Sequence, residues 1–369
     1  MGIATQVAPI KLGVLIDFVL PPPSAWNIRE DFLEATRLTL DDAVAAGRLD
    51  RRVELVVREC EGLPRGTVKA VIDAYGELVD EGCVGVFGPM ISESAVPLRE
   101  AIEERFKVPA ISWCGADEWH GEWTFSLGNG SLTDEPYVIA SLLRQRDFTR
   151  VAVSHERSLI GQKYLASFRE ACLVEGITIV CESPIAQSGV DATEVVGELH
   201  ASAPDAVVHW GFGLGVVGVN AALAALDWDP PRYMGTSWEN GYMNDEIFRA
   251  HLGWIGLEQY DETNEVGQRF LDRFAEAHGR RPEYIMPIYG HDVGQAFVAA
   301  LERAEPLSPR GVMEALERVK MVPAACGEPG TRISFGKWTR RGWMGSGYLV
   351  AREVSPDFTS TVLRGRLSS

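Results

Sequence analysis

The chain has 369 residues, long enough for two domains of ordinary size. Hydrophobic residues make up 46% and charged residues 24%, an ordinary globular composition that argues against disorder. A net charge of -17 argues against a nucleic-acid binder, and no apolar run reaches membrane-spanning length.

The chain opens on KLGVLIDF (Lys11 to Phe18), an apolar strand that stops at the Pro21-Pro22-Pro23 turn. The spacing of Ile28, Phe32, Ala35 and Thr39 predicts a helix over about 27–46. VELVVREC reads as the second strand, and a helix from Pro64 to about Glu81 follows, with proline in an acceptable first-turn position. The stretch from Gly82 to Ala116 then repeats the pattern twice. Val84, Val86 and Phe87 make a strand that ends at Gly88-Pro89, Ser92 stands where a helix begins, and Val108, Ala110 and Ile111 make the next strand. That strand breaks at Ser112-Trp113-Cys114-Gly115-Ala116. Apolar strands each followed by an amphipathic helix predict a parallel α/β sheet covered on both faces. Ligands collect at the carboxyl ends of such strands, and both turns fall there.

WTFSLG (Trp123 to Gly128) reads as a short crossing strand, after which a second series begins. It runs helix 134–146, strand RVAVSH, helix 161–175, strand ITIVCES and helix 191–201. Strand DAVVHW, helix 215–225 and strand RYMGTS complete it. WIGLEQY (Trp254 to Tyr260) crosses back into three helical patterns over 262–278, 287–304 and 309–319. The tail gives two strands, TRISFG and SGYLVAREV, joined by a polar turn around Arg340-Arg341-Gly342. Two series of like layout predict two Rossmann-like lobes joined by a three-segment hinge. The expected boundaries are 1–126 plus 257–331 for one lobe and 127–256 plus 332–369 for the other, with a ligand cleft between them.

The order of these elements resembles the class I periplasmic binding fold, in particular the leucine/isoleucine/valine-type receptors of ABC importers. The resemblance spans Lys11 to about Val354 and is carried by KLGVLIDF, GCVGVFGP with Ser92 behind it, VPAISWCGA, RVAVSHERSLIGQKYLASF, DAVVHWGFG, YMGTSWENG and YGHDVGQAFVAALERA. It implies a non-catalytic solute receptor without cofactor or metal. The expected partners are a small molecule and the importer's membrane subunits, with no membrane insertion of its own. The resemblance also assigns site residues. Ser92, with Glu93 in the same turn, would meet a ligand carboxylate. Cys114, Gly115 and Ala116 would supply the adjoining turn, and Trp26 would line the apolar end. In the second lobe Ile160 and Leu214 fall where the family carries aromatic residues, and Glu239 falls near its ammonium-pairing acid. Two of three ammonium contacts are thus replaced, which argues against a free amino acid, because a half-paired buried charge is costly.

Apolar residues stand in their place. Of ten tryptophans, Trp26, Trp113, Trp210 and Trp238 fall at strand ends or turns facing the expected cleft, and Trp119 and Trp123 lie just beyond. A flat ring of 150–250 Å² suits a hydrophobic, aromatic or polycyclic carboxylate. Phe212 follows Trp210 in the same turn, and His155 and His209 end strands where either could donate to a ligand oxygen.

Other motifs carry less. Gly213-Leu214-Gly215-Val216-Val217-Gly218 follows a strand, opens a helix and has Glu239 about twenty residues on, the layout of a dinucleotide fingerprint. It sits deep in the second series, not on its first strand, so an NAD-dependent enzyme is the third-ranked reading. No zinc spacing, HExxH, GxSxG or P-loop is present. The six cysteines read as reduced and structural, although the sequence leaves a Cys60–Cys83 or Cys172–Cys181 bridge open. The start shows no basic segment followed by an apolar core. The expectation is therefore either an extracytoplasmic protein whose export signal has been removed or a cytoplasmic ligand sensor that regulates a partner protein, the second-ranked reading.

Overall fold

The computed structural model describes residues 8–18, 27–356 and 359–363. In chain order the elements are β1 (Ile10–Ile16), α1 (Ile28–Ala45), β2 (Val53–Glu59), α2 (Val68–Asp80), β3 (Gly85–Phe87), α3 (Ser92–Ala101), β4 (Ala110–Ser112) and β5 (Thr124–Ser126). Next come α4 (Glu135–Gln145), β6 (Arg150–Glu156), α5 (Leu159–Glu175), β7 (Thr178–Ile185), α6 (Ala192–Ala201), β8 (Ala206–Trp210), α7 (Val216–Ala225), β9 (Arg232–Met234), α8 (Asp245–Ala250) and β10 (Trp254–Glu258). The chain ends with α9 (Glu265–His278), α10 (Ile285–Leu301), α11 (Pro309–Leu316), β11 (Val322–Pro323), β12 (Arg332–Ile333), β13 (Val350–Val354) and β14 (Ser360–Val362).

These elements form two compact units. Unit 1 gathers β1 with Arg29–Gly128 and Glu262–Gly345; unit 2 gathers Asn129–Asp261 with β13 and β14. Unit 1 is built on a five-stranded sheet in the order β2-β1-β3-β4-β5, every pair parallel. β1 is apolar on both faces because helices cover both, and it pairs in register along its whole length with β2, from Ile10↔Val53 to Ile16↔Glu59. Unit 2 holds a seven-stranded sheet, β14-β13-β10-β9-β8-β6-β7, parallel from β7 to β10 and antiparallel at β13 and β14.

Local chemistry sets several element ends. Thr67 caps α2 by accepting the Ala70 N–H at 3.1 Å, so the helix starts at Val68 and Pro64 lies outside its first turn, unlike the expectation from sequence. Asn264 caps α9, and Ser158 and Ser308 cap α5 and α11. Helix α10 is buried over most of its length, with Gly290 against the Phe32 carbonyl and Gly294 against Thr39, where any side chain would collide with α1. Trp123 to Gly128 contributes β5, an edge strand of unit 1 paired with β4.

Of the two tail strands expected from the sequence, β12 pairs with β11 in unit 1, whereas β13 joins the sheet of unit 2 beside β10. Residues 332–345 cluster with unit 1 because Ser126 N–H donates to the Arg340 carbonyl, Gly342 N–H to Ser126, and the Trp343 indole to Gly128. All six cysteines are free thiols, and no described helix is long and apolar enough to cross a membrane.

Candidate functional site

In unit 1 the carboxyl ends of β1, β3 and β4 come together. Asp17 directly follows β1, and its carboxylate accepts the Met90 N–H at 2.6 Å and the Ile91 N–H at 3.3 Å, holding the turn before α3. Burial pushes the Asp17 carboxyl up to about 6, against the pull of these hydrogen bonds and one to Ser94. Ser92 opens α3 from this fixed turn. Its hydroxyl accepts the Gly115 N–H at 3.3 Å and lies 3.2 Å from the Cys114 Sγ, so the turns after β3 and β4 meet on one oxygen. Cys114, Gly115 and Ala116 are buried with it, whereas Glu93 is only half-buried. Burial pushes the Cys114 thiol up to about 11, so it acts here as a neutral donor and not as a thiolate. Trp113, 5% exposed, stacks on Tyr289 at 5.2 Å, and its indole N–H has no partner among the described residues. Tyr289 anchors that stack by donating its hydroxyl to the Leu127 carbonyl at 2.5 Å.

In unit 2 buried carboxylates again bind the strand ends together. β6 ends at Glu156, which accepts the Phe212 and Gly213 N–H groups at 2.8 and 2.9 Å and lies 3.9 Å from His209. His209 itself is fully buried and hydrogen-bonded to the Ser154 hydroxyl at 2.9 Å. Glu135, in the first turn of α4, accepts from Tyr164 at 2.7 Å, from Ser131 N–H at 2.8 Å and from the Thr236 N–H and hydroxyl at 2.6 and 3.0 Å. Burial pushes its carboxyl up to about 7 even so. After β9 the chain winds through a short 3-10 segment, Thr236–Met243, almost wholly buried. Asn240 on it donates to the Phe212 carbonyl, tying this segment to the turn after β8.

Glu239 projects from this segment. Its Oε2 accepts from Asn129 at 3.3 Å, while Oε1, the Ser237 hydroxyl and the Trp238 indole N–H have no hydrogen-bond partner among the described residues. Burial first, then the charges of Glu258 and Glu135, holds the Glu239 carboxyl well above the usual carboxylate range. Unsatisfied buried polar atoms are rare in folded proteins, and three on consecutive residues mark a place suited to a polar ligand.

The remaining residues named from sequence fall as follows. Trp26 lies outside the described residues. Trp210 is fully buried in unit 2, stacked on Tyr164 at 4.8 Å and edge-on to Phe168, so its ring belongs to the core between β8 and α5. Trp238 is 1% exposed and stacks on His251 at 4.8 Å, above Gly256, whose missing side chain makes the room. Trp119 is also core, donating to the Phe125 carbonyl. Phe212 and His155 are half-buried, and Ile160 is buried in the first turn of α5. The glycine motif does structural work: Gly215 and Gly218 pack on the Gly189 backbone, and Glu156 already occupies the amides of Phe212 and Gly213 that a pyrophosphate would need. Asp17, Glu135, Glu156 and Tyr289 were missed from sequence. The one available signal was an acid directly ending an apolar strand, as in LIDF and VSHE. A cavity of about 700 Å³ also lies in unit 1, lined among others by His120, Arg310, Trp338 and Arg340; none of the sequence-predicted site residues lines it.

Residues 9–346 match the family model described as periplasmic binding protein. Among solved structures, an ABC transporter substrate-binding protein from Desulfitobacterium hafniense in complex with Leu is 17% identical, with a TM-score of 0.78 over 96% of this chain and 100% of that one. A possible leucine/isoleucine/valine-binding protein from Rhodopirellula baltica is 14% identical, with a TM-score of 0.80 over 99% and 100%. A solute binding protein of an ABC transporter from R. palustris in complex with benzoate is 15% identical, with a TM-score of 0.72 over 96% of each chain. At these identities the likeness speaks for the fold.

Proposed function

Because this chain belongs to the periplasmic binding protein family, a family of solute receptors and not of enzymes, we propose that it is the substrate-binding protein of an ABC-type importer. It takes a small hydrophobic or aromatic ligand with an oxygen-bearing polar head, a carboxylate foremost, and works outside the cytoplasm. The two units close on the ligand by hinge motion, and the closed form engages the importer's membrane subunits. The observation that carries the reading is the run of unpartnered polar atoms on Ser237, Trp238 and Glu239 at the end of β9. The Ser92 hydroxyl at the ends of β3 and β4 supports it from unit 1. Both lie where open parallel sheets bind ligands. Most of the affinity would come from apolar burial at about 25 cal/mol per Å².

A thermal-shift panel at millimolar ligand tests this, with benzoate and larger aromatic carboxylates, leucine, short amides and NAD. A ligand at about 100 times its dissociation constant adds about 2.7 kcal/mol of stability. Stabilisation by aromatic carboxylates alone is the expected result. Stabilisation by leucine would restore the amino-acid reading, and a response to NAD would sink the receptor.

A further inference from the structure

The three orphaned polar atoms on the segment after β9 differ in kind. The Trp238 indole can only donate, and Ser237 can do either. Glu239 decides what the ligand must bring. It is 4% exposed, and its Oε2 faces the Asn129 amide while Oε1 faces no described partner. Asn129 is itself held in place, because Gln259 donates to its carbonyl. A charged carboxylate here would need a cation or several N–H and O–H donors, as Glu135 has in its four hydrogen bonds. Glu239 has one weak donor.

The groups around it make ionisation harder. From β10 comes Glu258, already committed: Arg352 on β13 pairs with it at 2.6 Å and the Tyr242 hydroxyl bonds both its oxygens at 3.0 Å. From α4 comes Glu135, of the same sign. From the end of α8 comes His251, fully buried against Trp238 and held neutral by burial, its pKa lowered to about 3. The Arg352 guanidinium that pairs with Glu258 also donates to the carbonyls of Tyr260 and Ser360, each at 2.9 Å.

We propose that Glu239 meets the ligand as a neutral carboxylic acid, its Oε1 hydroxyl donating a hydrogen bond to a ligand oxygen. This rests on the receptor reading and deepens it by fixing the chemical class: an acceptor such as a carboxylate, carbonyl or ether oxygen at this position. Burial keeps Glu239 protonated, and the neighbouring carboxylates Glu258 and Glu135 add to it.

Infrared difference spectroscopy of the full-length protein tests it directly. At pH 8, where Asp17, Glu135 and Asp292, whose carboxyls titrate near 6 to 7, are largely ionised, wild type minus Glu239→Gln should show one carbonyl band of a protonated carboxyl. Saturating benzoate should shift that band down without removing it, as hydrogen-bond donation weakens the carbonyl. Glu239→Gln, a neutral donor, should bind benzoate within about threefold of wild type, and Glu239→Ala about tenfold more weakly. Absence of the band, or its conversion to carboxylate when a ligand binds, overturns the proposal. A band that no stabilising ligand moves overturns the contact while leaving the receptor reading in place. If no member of the panel stabilises the wild type, the receptor reading fails, and this contact fails with it.

Discussion

The Glu135 carboxylate accepts the Thr236 backbone N–H at 2.6 Å and so joins the first turn of α4 to the end of β9, across 101 positions of sequence. The close approach depends on glycine. A side chain at Gly130 or Gly235 would overlap the same carboxylate. Glu135 therefore holds in place the segment that carries Glu239.

Replacing Glu135 should be among the most damaging changes in unit 2. Glu135→Ala leaves donors on Tyr164, Ser131 and Thr236 buried and unpaired, at roughly 1–3 kcal/mol each. A loss of about 3 kcal/mol or more in urea unfolding is expected. Glu135→Gln should lose less, and its deficit should depend on pH. The native carboxyl, raised from 4.5 to about 7, binds its proton more tightly than the unfolded one. Wild type is thus favoured most below pH 4.5 and loses this contribution as pH rises to about 7. Gln does not titrate, so its deficit relative to wild type should shrink by up to about 3 kcal/mol between pH 4.5 and pH 8. A deficit independent of pH would show that Glu135 is ionised throughout.

His251 should impose the opposite slope. Its ring is fully buried against Trp238, and neither nitrogen has a described partner. Burial lowers its pKa to about 3, so below pH 6.5 the unfolded chain takes up a proton that the native chain refuses. Wild type must lose stability as pH falls from 6.5 toward 3. His251→Phe keeps a ring for Trp238 to stack on and removes the titration. The variant should match wild type at pH 7.5 to within about 1 kcal/mol and exceed it by about 2 kcal/mol at pH 5. Parallel melting curves for the two proteins across that range would refute the assignment.

How far the sequence carries depends on whether the signal is local. The alternation of apolar strand and amphipathic helix is local, and it located the parallel sheets and the turns after β3 and β4 where Ser92 and Gly115 meet. The tryptophans are the counter-case. Position at a strand end does not tell which way a ring turns, and the ring of Trp210 packs under α5 because Tyr164 and Phe168 offer it faces there. The tail is legible only as two strands: that β12 joins β11 and β13 joins β10 is not marked in either segment. The buried acids escaped notice because their partners are backbone N–H groups distant in sequence, as with Asp17 and Met90, 73 positions apart.

Asp17 offers a sharper test of how unit 1 is held. Asp17→Ala frees the N–H groups of Met90 and Ile91 in a turn with no other described tie to β1 through a side chain. The global loss should be about 2 kcal/mol. Native-state hydrogen exchange should show more than that global loss: the amides of Met90 and Ile91 should exchange faster than their neighbours in β3, because the turn opens on its own. If those amides stay as protected as Phe87, the turn is set by its backbone and Asp17 is incidental.

Ser92 separates recognition from stability. Its hydroxyl accepts from Gly115 N–H and sits beside the Cys114 thiol, so Ser92→Ala leaves the Gly115 N–H unpaired and the thiol with only the Ala116 carbonyl. The stability loss should stay near 1 kcal/mol, since the thiol bond is weak and the Gly115 contact long at 3.3 Å. If Ser92 orients the ligand's polar head, affinity for a carboxylate that stabilises the wild type should fall about tenfold or more, with the melting temperature of the free protein nearly unchanged. Ser92→Thr, which keeps the hydroxyl, should recover part of that loss. Loss of stability without loss of affinity in Ser92→Ala would assign the residue to tying β3 and β4 together, and would leave recognition of the polar head to the segment around Glu239.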